Sequence, residues 1–212
     1  MAKIAVATMN PRLYYKIVKA LRNFNISFIS VLPQEDLPKE IKVVLTSSFE
    51  SSIVNHQNKI IVSEDNINEA LFKAICAIKN KKHFNQLIFG IDPGATYGLV
   101  VLADGELISH KLFKNIENLI SYINLFSSFP SKMLVIKIGT GSKKYLKKFL
   151  MAIKSISLSN FKLELVDERS SIPFFVKDFN FQSDIKSAYG IALSRGRLLK
   201  VVEGFKDEDV VI

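Results

Sequence analysis

Two apolar runs flank a short turn in Leu87-Ile88-Phe89-Gly90-Ile91-Asp92-Pro93-Gly94-Ala95-Thr96-Tyr97-Gly98-Leu99-Val100-Val101. Runs rich in Val, Ile and Leu that are bounded by Gly and Pro are typical of neighbouring strands in a buried sheet. Pro93 cannot donate to a ladder and Gly94 tolerates positive φ, so we expect the first strand to end just after Asp92. Its carboxylate then projects beside exposed N–H groups, a position suited to holding a cation or approaching a phosphate. The alternative is a hairpin in which Asp92 makes only a local turn hydrogen bond.

The composition favours a folded protein without a membrane segment. The chain has 212 residues, of which 48% are apolar, which is enough for one large or two small domains. No apolar stretch reaches the roughly 18 residues that a membrane span requires, and the first residues lack the layout of a signal peptide. Cys76 is the only cysteine in the sequence. A disulfide within the chain is therefore excluded, and we expect a cytoplasmic protein, with a homodimer left open.

The net charge indicates a polyanionic partner. The formal charge is +9, and nucleic acid, either DNA or RNA, is the first candidate for such a basic chain. The alternative is that a lysine-rich genome or a hot environment simply enriches the surface in lysine. The three histidines are scattered, and no Cys/His spacing suggests zinc.

The order of predicted elements divides the chain into two α/β parts. Residues 1–80 alternate short strands with two amphipathic helices and predict a small α/β domain, for which the sequence indicates no role. Residues 79–83 form a short basic break. Residues 86–212 follow with three strands, of which the second and third are joined at Asp104-Gly105, a pair that closes hairpins. Helix, strand, helix, strand and a last helix over 184–199 complete the second domain.

Three strands followed by helix, strand, helix, strand and helix is the element order of the ribonuclease H fold. Residues 86–200 resemble the RuvC/YqgF-like branch of the ribonuclease H-like nuclease superfamily on three motifs that come in the family's order. The motifs are Ile91-Asp92-Pro93-Gly94 with Gly98, Asp167-Glu168-Arg169-Ser170-Ser171, and Asp184-Ile185-Lys186-Ser187-Ala188. The resemblance implies a mixed sheet that begins with three antiparallel strands and is preceded by the small N-terminal domain.

The resemblance also implies an activity. Nucleases of this kind hydrolyse phosphodiesters with two Mg²⁺ or Mn²⁺ ions about 4 Å apart, held by converging carboxylates. On this reading Asp92, Glu168 and Asp184 are the catalytic and metal-binding residues, with Asp167 the less favoured alternative to Glu168. The implied function is a metal-dependent nuclease.

The sequence departs from the resolvase pattern at two positions, and other functions stay open. Lys137 stands where RuvC-type resolvases place a glutamate, and Ser187 stands where their last helix carries a second aspartate. A reduced ligand set is compatible with a non-catalytic nucleic-acid-binding or scaffold protein of the same fold. A third possibility is an ATP-binding protein of the actin type, because Asp92-Pro93-Gly94 to Gly98 also resembles the first phosphate loop of that class.

A lysine-rich helix is the predicted nucleic-acid-binding element. Gly139-Thr140-Gly141-Ser142 precedes it, so its free N–H groups can hold a phosphate. The predicted phosphate-binding residues are Lys143, Lys144, Lys147, Lys148 and, outside the helix, Arg169. The alternative is that the lysines are only the solvated face of an amphipathic helix.

Overall fold

The computed structural model describes residues 2–156, 161–167 and 181–199 and confirms the α/β class. The chain divides into two compact units, Met1–Phe84 with Ser128–Pro130 (unit 1) and Asn85–Ser127 with Ser131–Ile212 (unit 2). Each unit has its own sheet. Within the described ranges, the helices are too short or too polar to cross a membrane.

Unit 1 is built on a four-stranded parallel sheet with the order β2-β1-β3-β4. Its elements are β1 (Ile4–Ala7), α1 (Pro11–Asn23), β2 (Phe28–Val31), β3 (Val43–Thr46), β4 (Lys59–Ile61) and α2 (Ile67–Ile78). All residues of β1 and β3 are buried. A continuous apolar run, without alternation, is what an inner strand of a parallel sheet requires, because both of its faces are covered.

The residues at the start of α1 explain why the helix begins there. The Asn10 side chain accepts hydrogen bonds from the N–H groups of Arg12 and Leu13, and Pro11 takes the first helical position. The helix buries Leu13, Ile17, Val18 and Leu21 and packs against α2. Another part of the core lies beneath the connections between strands, where Leu37, Ile41 and Val54 pack with Ala5, Ala7 and Val44.

Unit 2 is built on a six-stranded mixed sheet with the order β10-β9-β8-β5-β6-β7. Its elements are β5 (Phe84–Asp92), β6 (Tyr97–Ala103), β7 (Glu106–Phe113), α3 (Ile116–Asn124), β8 (Ser131–Gly139), α4 (Lys143–Ala152), β9 (Phe161–Val166), α5 (Ser183–Leu193) and β10 (Arg197–Leu199). Strands β5, β6 and β7 are antiparallel, β8 and β9 are parallel, and β10 is antiparallel to β9. The predicted antiparallel start of this sheet is thus present.

The predicted last helix is wrong in its second half. It was expected to run over 184–199, but it ends at Leu193, and Arg197–Leu199 form a strand that pairs with β9. The Ser194 hydroxyl donates to the Gly190 carbonyl at the helix end, a local bond that competes with the helical ladder. Gly196 then passes β9 so closely that a Cβ there would lie 2.6 Å from the Glu164 Cβ. The glycine is the sequence signal for this close approach.

Candidate functional sites

Asp92 and Asp184 both lie beside Gly98. Asp92 is the last residue of β5 and pairs with Gly98 across the β5–β6 ladder. A Cβ built on Gly98 would lie 2.1 Å from the Asp184 carbonyl oxygen and 3.3 Å from its Cβ. Helix α5 therefore starts directly on the strand that neighbours Asp92, and the missing side chain of Gly98 makes the room for it. The structure brings these two of the three predicted carboxylates to one region of unit 2.

The third predicted ligand and the predicted arginine lie outside the described residues. Glu168 and Arg169 follow Asp167, which is exposed just after β9. In the described ranges, no three or more His, Cys, Asp or Glu side chains are grouped so that they could hold a metal ion. The two-ion centre therefore stays a prediction, and the described carboxylates alone are too few for it.

Helix α5 is fixed at its other end by a buried lysine. Lys137, on β8, is 9% exposed, and its Nζ donates to the Ser194 carbonyl at 2.6 Å. The same Nζ lies 3.6 Å from Glu164 Oε2. A cation beside the last carbonyls of a helix stabilises its negative end. Lys137 therefore has a structural role at the C-terminus of α5, whereas Asp184 lies at the N-terminus.

Helix α4 presents four lysines on one exposed face. Lys143, Lys144, Lys147 and Lys148 are all exposed, while Leu146, Phe149 and Leu150 are buried. The predicted division of this helix into a charged and an apolar face is thus confirmed. The helix has no acidic residue in its first turn, and the Ser142 side chain makes no cap hydrogen bond.

A group of polar side chains lies at the carboxyl ends of β1 and β3 in unit 1. We call this group, which consists of Thr8, Ser47 and Glu50, the Glu50 crevice. The Glu50 carboxylate accepts hydrogen bonds from the Thr8 hydroxyl, the Ser47 hydroxyl and the Met9 N–H. Burial alone would raise the pKa of Glu50, but the bonds from Ser47, Thr8 and Met9 outweigh it and lower the pKa below its ordinary value. The Oγ1 of Thr46, at the end of β3, is buried and has no hydrogen-bond partner among the described residues.

This crevice lies where parallel α/β sheets commonly bind ligands. The chain leaves β1 toward β2 on one side, whereas β3 lies on the other side of β1, so the strand order reverses between β1 and β3. Ligands bind outside the carboxyl ends of the strands at such a reversal. In unit 1 the position is occupied by the protein's own Glu50 carboxylate.

The comparisons with known proteins concern unit 1. Residues 3–78 match the model of the response regulator receiver-like domain. The match covers little more than a third of the chain and includes all four strands and both helices of unit 1. No match was found among curated proteins.

The receiver-like match overturns the predicted family. The assignment of residues 86–200 to the RuvC/YqgF-like nuclease family is wrong, because the family that matches in this chain is a receiver-like domain and not a nuclease or hydrolase family. The metal-dependent cleavage that the resemblance implies stays a prediction. The motif residues also have local structural roles. Gly98 makes room for α5, and Asp184 lies in the first turn of that helix, where a carboxylate is favourable. Short motifs at strand ends and helix starts arise for such reasons and carry little family information.

Sequence reasoning found no role for unit 1 and missed the Glu50 crevice. The signal was weak, because the crevice contains no glycine-rich loop and no group of carboxylates. The available indication was the placement of hydroxyl residues directly after two buried strands, Thr8 after β1 and Ser47 after β3.

Proposed function

We propose that this chain is a nucleic-acid-binding protein with a regulatory, receiver-like unit. Unit 2 contacts the phosphate backbone through helix α4, and unit 1 receives a signal, as its similarity to receiver-like domains suggests. The observation that carries the binding role is the face of α4, four exposed lysines that form no ion pair with the acidic residues that the structure describes. This role corresponds to the non-catalytic nucleic-acid-binding protein that the sequence leaves open as an alternative to a nuclease.

The electrostatics of α4 favour an anionic ligand. Lys143 and Lys147 are four residues apart, as are Lys144 and Lys148, so the Cβ atoms of each pair lie about 5–6 Å apart on the helix surface. Like charges at this spacing cost roughly 0.2–0.5 kcal/mol per pair. Two of these lysines open the helix, at the end where the helix dipole disfavours cations. No described carboxylate relieves this repulsion, and binding of a polyanion would relieve it.

The surrounding sequence strengthens this field. No Asp or Glu occurs from residue 118 to residue 163, a stretch that contains eight lysines. In helix α1 of unit 1, by contrast, Arg12 and Lys16 both pair with Glu64. An uncompensated basic surface is the electrostatic footprint of phosphate binding.

We also propose that the six-stranded sheet of unit 2 has the ribonuclease H-like architecture. In support, its first three strands are antiparallel and consecutive, and β8 lies beside β5. Fold does not imply activity, since one architecture hosts many unrelated functions. No step of the proposed function depends on a metal ion.

The test is nucleic-acid binding as a function of salt. We would replace the four α4 lysines by alanine, which keeps helix propensity, and titrate labelled duplex DNA, single-stranded DNA and RNA by fluorescence anisotropy. For duplex DNA, loss of four phosphate contacts should flatten the plot of log K against log salt by up to about 3.6.

A matched control removes the same charge elsewhere. The control variant carries alanine at four exposed lysines outside the stretch from 118 to 163, namely Lys3, Lys39, Lys82 and Lys114. We expect it to keep most of the wild-type slope. Equal slopes for the wild type and the α4 variant would show that the lysines of α4 are only a solvated face.

A further inference from the structure

The exposed face of α4 has a candidate partner within the same chain. The sequence after β10 contains Glu203, Asp207, Glu208 and Asp209, with Lys206 the only basic residue from 203 to 209. This acidic segment lies outside the described residues and follows β10 of unit 2 in the sequence. We propose that residues 203–209 dock on the lysine face of α4 and compete there with nucleic acid.

The topology places the end of β10, from which this segment continues, at the end of the sheet where α4 ends. Leu199, the last residue of β10, pairs with Leu163, near the beginning of β9. The segment that contains α4 also ends at the beginning of β9, because α4 and its short 3₁₀ continuation connect β8 to β9 and stop at Ser155. The chain therefore leaves β10 at the same end of the sheet at which α4 ends.

The length of the segment is sufficient. Helix α4 has ten residues, which corresponds to about 15 Å along its axis. Glu203 is four residues beyond Leu199 and Asp209 is ten residues beyond it, so their reach is at most about 14 Å and about 35 Å. The acidic residues can therefore follow the whole lysine face.

The charges of the described residues favour α4 over α1 as the docking site of the acidic segment. In α1 the carboxylate of Glu64 already neutralises part of the basic face. Among the described residues, Lys143, Lys147 and Lys148 make no ion pair, so α4 offers the stronger field for an acidic segment.

The effect of this competition on the affinity for nucleic acid can be calculated. A short tether gives the docked segment an effective concentration on the order of 1 mM. If the same segment as a free peptide binds α4 with a dissociation constant of about 0.1 mM, it covers the face about 90% of the time, and the apparent affinity for nucleic acid falls about tenfold.

The first experiment measures docking without nucleic acid. A water-soluble carbodiimide joins carboxylates to amines that are in direct contact, and mass spectrometry of the digested full-length protein identifies the joined residues. We expect links from Asp207, Glu208 or Asp209 to the α4 lysines, lost at high salt. Links to Lys16 or Lys19 of α1, or no links to α4, would overturn the docking.

The second experiment measures competition, and only this effect rests on the proposed function. A full-length variant carries amides at the four acidic positions of the segment. A control variant with the same net charge carries Asp36→Asn, Glu40→Gln, Asp65→Asn and Glu69→Gln, all at exposed positions of unit 1. We expect the segment variant to bind duplex DNA about tenfold more tightly than wild type, and the control to change much less.

The two measurements separate the two ideas. Cross-links to α4 in a protein that binds no nucleic acid would refute the proposed function and leave the docking intact. Salt-dependent binding through α4, with no cross-links and equal affinity for the segment variant and the control, would refute the docking alone.

Discussion

Replacing Gly98 by alanine should displace helix α5 and destabilise unit 2. The new Cβ would lie 2.1 Å from the Asp184 carbonyl oxygen and 2.7 Å from its carbonyl carbon. Both are backbone atoms, so no side-chain rotation relieves the clash. Ordinary contact requires about 3.5 Å, so the start of α5 must retreat by more than about 1 Å. Overpacking of this kind costs about 1–3 kcal/mol.

The retreat also loosens the core beneath the helix. Ile185, Ala188, Tyr189 and Ala192 of α5 pack with Val100 and Leu102 of β6 in one cluster. A cost of about 1–3 kcal/mol should lower the melting temperature of unit 2 by about 3–10 °C. Scanning calorimetry of the whole chain measures this, and the transition of unit 1 should stay unchanged.

Gly94→Ala is the matched control, because it lies in the same hairpin but away from α5. Its Cβ would meet only the Thr96 carbonyl oxygen, at 3.1 Å, and the Thr96 nitrogen, at 3.9 Å. We expect a clearly smaller shift than for Gly98→Ala. The reasoning is refuted if Gly98→Ala melts like the wild type, or if the two variants are destabilised equally.

Three further predictions concern the side chains of Glu50 in unit 1 and of Lys137 and Tyr122 in unit 2. Because the pKa of Glu50 is lowered in the folded state, its carboxylate stabilises unit 1 above its ordinary pKa, and this contribution is lost as the pH falls through the folded-state value. Melting curves at decreasing pH should therefore fall more steeply for the wild type than for Glu50→Gln. Lys137→Met should destabilise unit 2 by about 1–3 kcal/mol in urea titration, because it leaves the carboxylate of Glu164 without its cation; a neutral result would contradict the role of this lysine. The Tyr122 hydroxyl forms a 2.7 Å hydrogen bond with the buried Ser109 hydroxyl, and burial raises the pKa of Tyr122 to about 12. Tyr122→Phe should cost about 1–2 kcal/mol, and adding Ser109→Ala should recover part of it, whereas additive effects would show that the bond contributes nothing.

The elements that local patterns determine were predictable from the sequence. Asn10-Pro11 marks the start of α1, and the alternation of lysines with apolar residues gives the two faces of α4. These features depend on capping and on helical periodicity, which neighbouring residues decide. The strand β10 depends instead on the close approach of Gly196 to β9, and a single glycine in the sequence does not identify the strand that it approaches.

The sites were less predictable than the fold. Asp92 and Asp184 are far apart in sequence, and they come close to each other only because α5 packs on Gly98. The Glu50 crevice joins residues 42 positions apart, since Thr8 follows β1 and Glu50 follows β3. Their meeting requires parallel pairing of two strands, and the hydroxyls involved are common at any strand end. Motif similarity misled for the same reason, because short motifs record local geometry and not the chemistry of a site.

The turn between β6 and β7 has a consequence for the order of folding. Asp104 and Gly105 have φ values of 49° and 83°, and the Asp104 carboxylate accepts the N–H groups of Asn85 and Gln86, both at 2.9 Å. A two-residue turn with both φ values positive matches the twist of the strands it joins. The three antiparallel strands thus meet through contacts of low sequence separation, and hairpins of this kind close within about 1–10 μs.

During synthesis these strands pair long before unit 2 is complete. Residues emerge at about 5–20 per second, so α5 follows β7 by on the order of 10 s. For that interval the face of β6 that carries Val100 and Leu102 lacks the helix that later covers it. The early hairpins therefore expose an apolar surface on the nascent chain, and the time until α5 arrives is the period in which unit 2 is most prone to aggregation.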